Sequence, residues 1–364
     1  MFDFVPLNIY TTVYYTVMLI LALFIIMHAN AFDVRDRASI QFFNGVGYFF
    51  LIIFILYIGL RPISGRYFGD MANYSKGYEL IQKGAGVRIE KDYIFNYFMW
   101  YCAQIMPVKY FFLLIDVLYI VPCYIFSRKY FTRYWFFAFF MFVGSFSFWS
   151  YGTNGIRNGV ATSFFILGLC FYNKSKVTMY AIFILSFFTH SSLVIPLSAF
   201  VVSGIYKNPK LYLYIWLLCI PLSLLGGSFW EGLFSKLGFA DRTEGYLTGG
   251  EEFKEQFSQT GFRWDFLFYS TFGTVSGWYF IFKKKIKDQF YIHLFGIYCI
   301  ANAFWILVIR ANFSNRFAYV SWFLMAPVIA YPMFRYKIWK DQYKTFGLII
   351  LVYYLFTYLM YVKT

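Results

Sequence analysis

The sequence predicts an all-α polytopic membrane protein with about twelve transmembrane helices. Two observations favour this fold class. First, 60% of the 364 residues are hydrophobic and only 13% are charged, whereas about a quarter of a soluble domain is charged. Second, the hydrophobic residues form blocks of about 15–22, the length that an α-helix needs to cross a hydrocarbon core about 30 Å thick. This pattern excludes soluble enzymes, DNA-binding proteins, secreted disulfide-rich proteins and disordered chains.

The hydrophobic blocks define the predicted spans of a chain that we expect to form a single membrane domain over 1–364. The spans are 10–29, 43–60, 108–126, 134–150, 157–172, 177–190, 193–206, 211–228, 264–282, 290–308, 317–334 and 345–362. The sixth and seventh are short, so we expect either two spans or one bent pair around His190. The aromatic stretch from Tyr93 to Met106 ends before Pro107 and is predicted to be an interfacial helix.

Lys and Arg collect in the loops on one side of this topology. These loops, 30–42, 127–133, 173–176, 207–210, 283–289 and 335–344, contain 17 Lys and Arg and four Asp. Because cytoplasmic loops are enriched in Lys and Arg, this side is predicted to be cytoplasmic, and both termini to lie outside. The long loops 61–92 and 229–263 are then predicted to face the periplasm, and loops of this length often cover binding sites.

Four polar clusters lie at membrane boundaries on the outward side of this topology. They are Arg61, Arg66, Asp70 and Tyr74 after the second span; Asn154, Arg157 and Asn158 at the start of the fifth; His190 at the end of the sixth; and Arg310, Asn315 and Arg316 before the eleventh. Asn154, Arg157 and Asn158 are expected to share one helical face. Each cluster also has a structural interpretation, because arginines reach lipid headgroups, histidines pack through hydrogen bonds and an Asn-Arg pair can cap a helix.

The residue types in these clusters suit the chemistry of a sugar diphosphate. Guanidinium groups bind phosphate oxygens in pairs and stay charged, so several arginines on one side predict a diphosphate site. Glycines around Arg157 add backbone N–H donors at a helix N-terminus. His190 belongs to a residue type that titrates near neutrality, so it is a candidate to take a proton from a sugar hydroxyl. Asp70 is a candidate to orient His190 or to act as the base itself, and Tyr74 to stack on a sugar ring.

No cofactor is predicted. The three histidines are far apart in the sequence and have no carboxylate cluster beside them, so no metal site is expected. The chain also lacks a P-loop and a dinucleotide-binding glycine motif, so no nucleotide donor is expected. The five cysteines lie in apolar stretches without the spacing of metal ligands, and we interpret them as core residues.

Short motifs at these clusters resemble a known family. The motifs are Gly59-Leu-Arg61, Gly69-Asp70 and Asn73-Tyr74 after the second span, Asn154-Gly-Ile-Arg157-Asn158-Gly-Val-Ala161 at a helix start, Thr189-His190-Ser191-Ser192 at the next helix end, and Asn315-Arg316-Phe-Ala-Tyr319 before a late helix. In order and spacing, over about residues 20–325, they resemble the EpsG-type branch of bacterial polysaccharide polymerases, the Wzy-like group. Asn158 stands where that family often has glutamine.

The resemblance implies a fold and a reaction. Such polymerases join glycan repeat units carried on undecaprenyl diphosphate at the periplasmic face of the bacterial inner membrane. They work without a metal, in a large-cavity helical fold similar to lipid-linked (GT-C-like) glycosyltransferases. By the same resemblance, Arg157, Arg310 and Arg316 hold the diphosphates, and His190 or Asp70 deprotonates the acceptor hydroxyl. The implied partners are the lipid-linked donor and acceptor glycans and membrane lipid. A chain-length regulator stays open, as does the product: O-antigen, capsule or exopolysaccharide. No nucleic acid is expected.

Three other functions stay open on the sequence. An O-antigen ligase performs similar chemistry on a different acceptor. A flippase or other transporter of lipid-linked glycans also needs arginines, but along a path that reaches both faces, whereas these clusters lie on one side. A membrane O-acyltransferase also uses a histidine, but it takes an acyl donor from the cytoplasm, and only His28 and His293 are predicted near that face.

Overall fold

Regular structure is helical throughout the residues that this computed structural model describes, which are 2, 4–86, 91–234, 261–311 and 314–363. The helices are α1 (Leu7–Ala31), α2 (Arg37–Gly59), α3 (Gly65–Phe68), α4 (Met71–Gln82), α5 (Tyr93–Ile105), α6 (Val108–Phe131), α7 (Trp135–Val143), α8 (Phe146–Thr153), α9 (Ile156–Leu169), α10 (Lys176–Thr189), α11 (Val194–Ile205), α12 (Pro209–Phe234), α13 (Trp264–Trp278), α14 (Gln289–Leu307), α15 (Ser314–Trp322), α16 (Met325–Arg335) and α17 (Gln342–Lys363). Short 3₁₀-helices cover Thr132–Tyr134 and Ser191–Leu193, and a π-helical turn covers Tyr279–Lys283.

Seven helical stretches within the described ranges are long and apolar enough to cross a membrane. They are Leu7–Ala31, Arg37–Gly59, Val108–Val143, Pro209–Gly227, Gln289–Leu307, Ser314–Arg335 and Gln342–Lys363. They confirm the prediction of an all-helical, multi-pass membrane protein. The predicted number of twelve spans and the resemblance to the GT-C-like architecture are not confirmed and stay predictions.

Three predicted spans correspond to short helices, and a fourth is broken in the structure. The fifth to seventh correspond to α9, α10 and α11, which have 14, 14 and 12 residues. At 1.5 Å per residue these helices are only about 18–21 Å long, which is less than the thickness of a hydrocarbon core. The fourth predicted span, 134–150, divides at Gly144–Ser145 into α7 and α8.

The chain divides into two compact units, unit 1 (Met1–Leu193 with Met333–Thr364) and unit 2 (Val194–Pro332). In unit 1, α6 packs against α2, α7 and α9, and α10 packs against both α9 and α5. Every side chain of α7 is buried, as expected for a helix that is hydrophobic on all sides. Because of this packing, the start of α9, the start of α5 and the end of α10 belong to one compact body.

In unit 2, α14 is the central helix, and α11, α12, α13 and α15 pack against it. Asn302 of α14 is fully buried. Its side-chain oxygen accepts from Trp216 Nε1 at 2.7 Å, and its nitrogen donates to Ser270 and Ser321 at 3.1 and 2.9 Å. A buried amide is costly unless it is hydrogen-bonded, so this network joins α12, α13 and α15 to α14.

The predicted outward loop 61–92 contains two helices, α3 and α4. In α4, Met71, Ser75, Tyr78 and Ile81 are buried, a spacing of three and four residues that marks one face of a helix. Residues 87–90 of this loop, and residues 235–260 of the loop 229–263, lie outside the described chain. The prediction that the second loop covers a binding site therefore stays a prediction, as does that of a single membrane domain.

Two further sequence expectations concern α5 and the cysteines. A helix is present at the predicted aromatic stretch, and its Tyr97, Trp100 and Tyr101 side chains are exposed. Its predicted location at the membrane interface stays a prediction. All five cysteines are buried and free, which confirms their interpretation as core residues.

Candidate functional site

The junction between α8 and α9 is the centre of the candidate site. Ile156 and Gly159 face the core, whereas Asn154, Arg157 and Asn158 are partly exposed. The glycine is required by a close approach of backbone, because a Cβ there would lie 2.8 Å from the carbonyl oxygen of residue 151. Arg157 and Asn158 therefore lie on the solvent side of the first turn of α9, where free backbone N–H groups favour an anion. Asn154 lies two residues before α9, at the end of α8.

Arg157 is held by two side chains, one from α4 and one from the residue before α5. Its Nη1 donates to Asp92 Oδ2 at 2.8 Å, and its Nε donates to the Tyr74 hydroxyl at 2.9 Å. Its guanidinium carbon lies 5.5 Å from the centre of the Tyr74 ring and 5.9 Å from that of Phe95. A guanidinium has five N–H donors, so these two bonds fix its plane and leave three donors for a ligand. The Tyr74 ring thus supports Arg157, where the sequence suggested sugar stacking.

Asp92 connects Arg157 to the turn that carries His190. Its second carboxylate oxygen accepts a hydrogen bond from the backbone N–H of Ser191 at 3.3 Å, and its side chain is only 4% exposed. The backbone of Asp92 has φ 54°, a left-handed conformation that Asp and Asn adopt more readily than most residues. Asp92 is not among the residues predicted from the sequence, because nothing in a single sequence pairs it with an arginine 65 positions later.

His190 has a defined hydrogen-bonding state. Its Nδ1 accepts from the backbone N–H of Ser192 at 3.2 Å and lies 2.9 Å from the Ser192 hydroxyl, which donates to Asn158 Oδ1 at 2.5 Å. A backbone N–H can only donate, so the neutral ring carries its proton on Nε2.

The surroundings of His190 also change its acidity. Burial lowers the pKa of His190 to about 4, Asp92 raises it and Arg157 lowers it. The structure thus differs from the expectation that His190 titrates near neutrality, since burial disfavours the charged ring. At pH 7 the ring is a neutral hydrogen-bond donor at Nε2.

Asp70 is anchored to the same junction. The backbone N–H of Asp70 donates to Asn154 Oδ1 at 2.8 Å, and one carboxylate oxygen accepts from Asn73 at 3.4 Å. Gly69 precedes it with φ +56°, and a Cβ there would lie 2.5 Å from the Asn154 oxygen, so only glycine fits. Within the described residues Asp70 makes no hydrogen bond to His190; the carboxylate that acts on His190 is Asp92.

Arg61 is buried in an ion pair. Its Nη1 lies 3.1 Å from Asp116 Oδ2, with side chains 0% and 1% exposed. The guanidinium also donates to the carbonyl oxygens of Ile58 and, at 3.1 Å, Thr153. Arg61 therefore faces protein atoms, in contrast to the ligand-binding role expected from the sequence. The signal for its partner was available, because Asp116 is the one acid within the predicted span 108–126.

Arg66 is exposed on α3. Its guanidinium carbon lies 5.6 Å from the centre of the Tyr67 ring, and the ring is 38% exposed. In the part of the chain that the structure describes, Arg66 has no carboxylate partner. Its positive charge therefore faces the surface.

The remaining predicted residues belong to unit 2. Arg310 is exposed at the end of α14, where its Nη2 donates to the Leu224 carbonyl at 3.3 Å. Asn315 donates to the Tyr319 hydroxyl at 3.1 Å within α15, and Arg316 follows it with a partly exposed side chain. The expectation that these residues and Arg157 form one site stays a prediction.

The geometry in unit 1 suits an anionic leaving group. Hydrogen-bond donors are grouped here: three N–H groups of Arg157, the Nε2–H of His190 and the N-terminus of α9. The carboxylate of Asp70, beside these donors, can accept a proton. Among the described residues, no three His, Cys, Asp or Glu side chains are grouped to hold a metal ion. The expectation of a metal-independent reaction stays a prediction.

In a comparison with known proteins, one family model matches this chain. The model described as the EpsG family matches residues 46–364, which include every candidate site residue in both units. No curated protein and no solved structure matches the chain.

Proposed function

This chain belongs to the EpsG family, and on that premise we propose that it is a glycosyltransferase that polymerises lipid-linked glycan repeat units. Membership of this family supports a polysaccharide polymerase. The observation that carries the finer proposal is the geometry of Arg157, which stands at the N-terminus of α9 with three free donors beside the Nε2–H of His190. This arrangement suits a diphosphate, because guanidinium donors and helix N-termini both stabilise phosphate oxygens.

The proposed reaction is a displacement at the anomeric carbon of the donor glycan. A hydroxyl oxygen of the acceptor repeat unit forms a bond to that carbon, and the bond from the carbon to the diphosphate oxygen breaks. The polyprenyl diphosphate leaves with the bonding electrons, and the hydroxyl proton moves to a protein base. Groups that stabilise the leaving diphosphate accelerate this step because negative charge develops there in the transition state.

The hydrogen bonds of His190 and Asp70 favour different roles for them. Nδ1 of His190 accepts from the Ser192 N–H and Nε2 carries the proton, so the proposed role of the ring is to donate to the diphosphate. Asp70 keeps a carboxylate oxygen free beside the junction, so it is the proposed base. Arg66, Arg310, Asn315 and Arg316 are proposed to bind the diphosphate or glycan, and Arg61 to support the junction from inside.

The proposed location is the bacterial inner membrane, with the site open to the periplasm. The substrates are then donor and acceptor glycans on undecaprenyl diphosphate, because that side holds no nucleotide sugars. The proposed product is an O-antigen, capsule or exopolysaccharide. A partner that sets chain length is compatible with this reaction.

The site is tested with Arg157→Ala and His190→Ala. Each variant removes a donor to the diphosphate, so we expect polymer formation to fall by about 10²–10³-fold while lipid-linked single repeats persist. Purified protein in nanodiscs, given lipid-linked repeat units, provides the measurement. Arg35→Ala is the matched control, since Arg35 is exposed and bound to Asp33 at 2.6 Å in the loop before α2. Polymer at the wild-type level from both site variants would exclude this site.

A gene deletion separates this function from its alternatives. For a polymerase, the ladder of surface glycans is lost while the core bearing one repeat remains. If the single repeat is lost as well and lipid-linked material accumulates, the protein is a ligase or a flippase.

A further inference from the structure

We propose that Asp92 is a positioning residue that couples Arg157 to the His190 turn, an inference that rests on the proposed function. One carboxylate makes both connections: Oδ2 accepts from Arg157 at 2.8 Å and Oδ1 accepts from the Ser191 N–H at 3.3 Å. The sequence motifs do not include Asp92. Its backbone carbonyl accepts the first hydrogen bond of α5, from the Asn96 N–H at 3.1 Å, whereas its carboxylate makes both of its bonds outside α5. Its two oxygens bind two other elements, the start of α9 and the turn after α10.

The position of Asp92 strengthens its ion pair with Arg157. Its side chain is 4% exposed and that of Arg157 is 13% exposed, so water competes little for either group. Hydrogen bonds between ionised partners are stronger than neutral ones, and a low local dielectric strengthens them further. The pair also leaves no buried charge uncompensated, because the carboxylate and the guanidinium neutralise each other.

Together, Asp92 and Tyr74 set the direction in which Arg157 presents its free donors. Nη1 donates a hydrogen bond to Asp92 and Nε donates one to Tyr74, so two bonds oppose rotation of the guanidinium plane. Both protons of Nη2 and one of Nη1 remain for phosphate oxygens. A displacement of about 1 Å in such a group is enough to lower a rate by about 100-fold.

The Asp92→Asn substitution separates the positioning of Arg157 from the effect of Asp92 on the stability of the protein. Asn accepts the left-handed backbone and keeps an oxygen for the Ser191 N–H, but it loses the ion pair with Arg157. Because a negative charge is removed near the anion, we expect KM for the lipid-linked donor to stay equal or fall. Because Arg157 is no longer oriented, we expect kcat to fall about 10–100-fold. Partial unfolding also lowers apparent kcat without changing KM, so kcat is expressed per folded protein, and the dependence of the loss on Arg157 distinguishes positioning from a structural defect.

The test measures kcat and KM of polymer formation for Asp92→Asn, Arg157→Lys and the double variant. If Asp92 acts through Arg157, Asp92→Asn lowers kcat by less than about threefold in the Arg157→Lys background, since the two effects are not additive. Tyr74→Phe keeps the ring and loses only the acceptor for Nε, so a smaller kcat loss is expected. Glu79→Gln is the charge control, because it removes one negative charge from an exposed side chain on α4. A wild-type kcat for Asp92→Asn, or an equal loss in both backgrounds, overturns the inference.

Binding of inorganic diphosphate distinguishes a failure of the proposed reaction from a failure of the proposed coupling by Asp92. By calorimetry on the full-length protein in detergent, we expect Asp92→Asn to bind at least as tightly as wild type and Arg157→Ala at least about tenfold more weakly. Absence of polymer from the wild-type protein, with this binding order intact, overturns the proposed reaction and leaves the coupling. Weaker binding by Asp92→Asn than by wild type overturns the coupling.

Discussion

The ring of His190 is held in one tautomer because its Nδ1 accepts from the Ser192 N–H at 3.2 Å. The same turn brings Ser192 to Asn158 at 2.5 Å, so a residue of α9 also stabilises the turn. Burial then lowers the pKa of His190 to about 4. At pH 7 the ring of His190 is therefore neutral with its proton on Nε2, whereas an exposed histidine titrates near that pH.

A prediction about acid stability follows from this pKa. The unfolded chain takes up a proton at His190 near pH 6.5 and the native protein only near pH 4, so the contribution of neutral His190 to stability is complete above pH 6.5. It falls as the pH drops from 6.5 to 4, by at most about 1.4 kcal/mol for each pH unit. His190→Gln has no such proton, so its thermal midpoint in detergent should fall less between pH 7 and pH 5. An equal fall in both proteins would contradict this assignment.

Some site residues could be predicted from the sequence, whereas their partners could not. Arg157, Asn158 and His190 were predicted as site residues because polar groups in an apolar chain are conspicuous. Their partner Asp92 was not predicted, because it lies 65 residues before Arg157 in sequence and only the fold brings them together. Whether an arginine faces the solvent is likewise set by packing, which is why Arg61 differs from the expectation.

At the scale of helices, the Arg61–Asp116 pair joins three elements. Asp116 belongs to α6, Arg61 follows α2, and the same guanidinium donates to the Thr153 carbonyl at the end of α8 at 3.1 Å. These bonds support the α8–α9 junction from its buried side. The pair therefore connects the interior of unit 1 to the candidate site without contact with solvent.

The Arg61–Asp116 pair predicts how the stabilities of single and double variants differ. Asp116→Leu leaves the Arg61 charge buried and unpaired, so we expect a loss of about 3–5 kcal/mol, whereas Arg61→Met with Asp116→Leu should recover most of it. Thermal midpoints in detergent measure this pattern. Polymer formation by the double variant should remain detectable, because Arg61 does not touch substrate in our proposal. A stable double variant that makes no polymer would instead support the ligand-binding role expected from the sequence.

The helices themselves were predictable to different degrees. Long apolar blocks gave correct spans for α1, α2 and α17, since hydrophobicity alone determines them. α4 was predicted as loop, although Met71, Ser75 and Tyr78 already show helical spacing. The break at Gly144–Ser145 was not predicted, because a composition that is apolar on both sides of a break does not reveal where a helix ends. The short α10 and α11 agree with the short sixth and seventh predicted spans.

On the scale of the whole molecule, charge determines the expected orientation. The net charge is +15, and 17 of the basic residues fall in loops on one side of the predicted topology. Such an asymmetry fixes which side stays in the cytoplasm during insertion. The proposed reaction needs the opposite side, because its lipid-linked substrates are periplasmic.

Accessibility to a membrane-impermeant maleimide tests this orientation. The five native cysteines are buried and should give little background. Lys83 and Lys284 are both exposed and fall on opposite predicted sides, so Lys83→Cys should react in intact spheroplasts and Lys284→Cys only after lysis. The parent protein with no added cysteine is the control for background, and lysed cells show that both positions are reactive. Labelling of Lys284→Cys alone in intact cells would reverse the topology and place Arg157 and His190 on the cytoplasmic side, where the proposed polymerase could not reach its substrates.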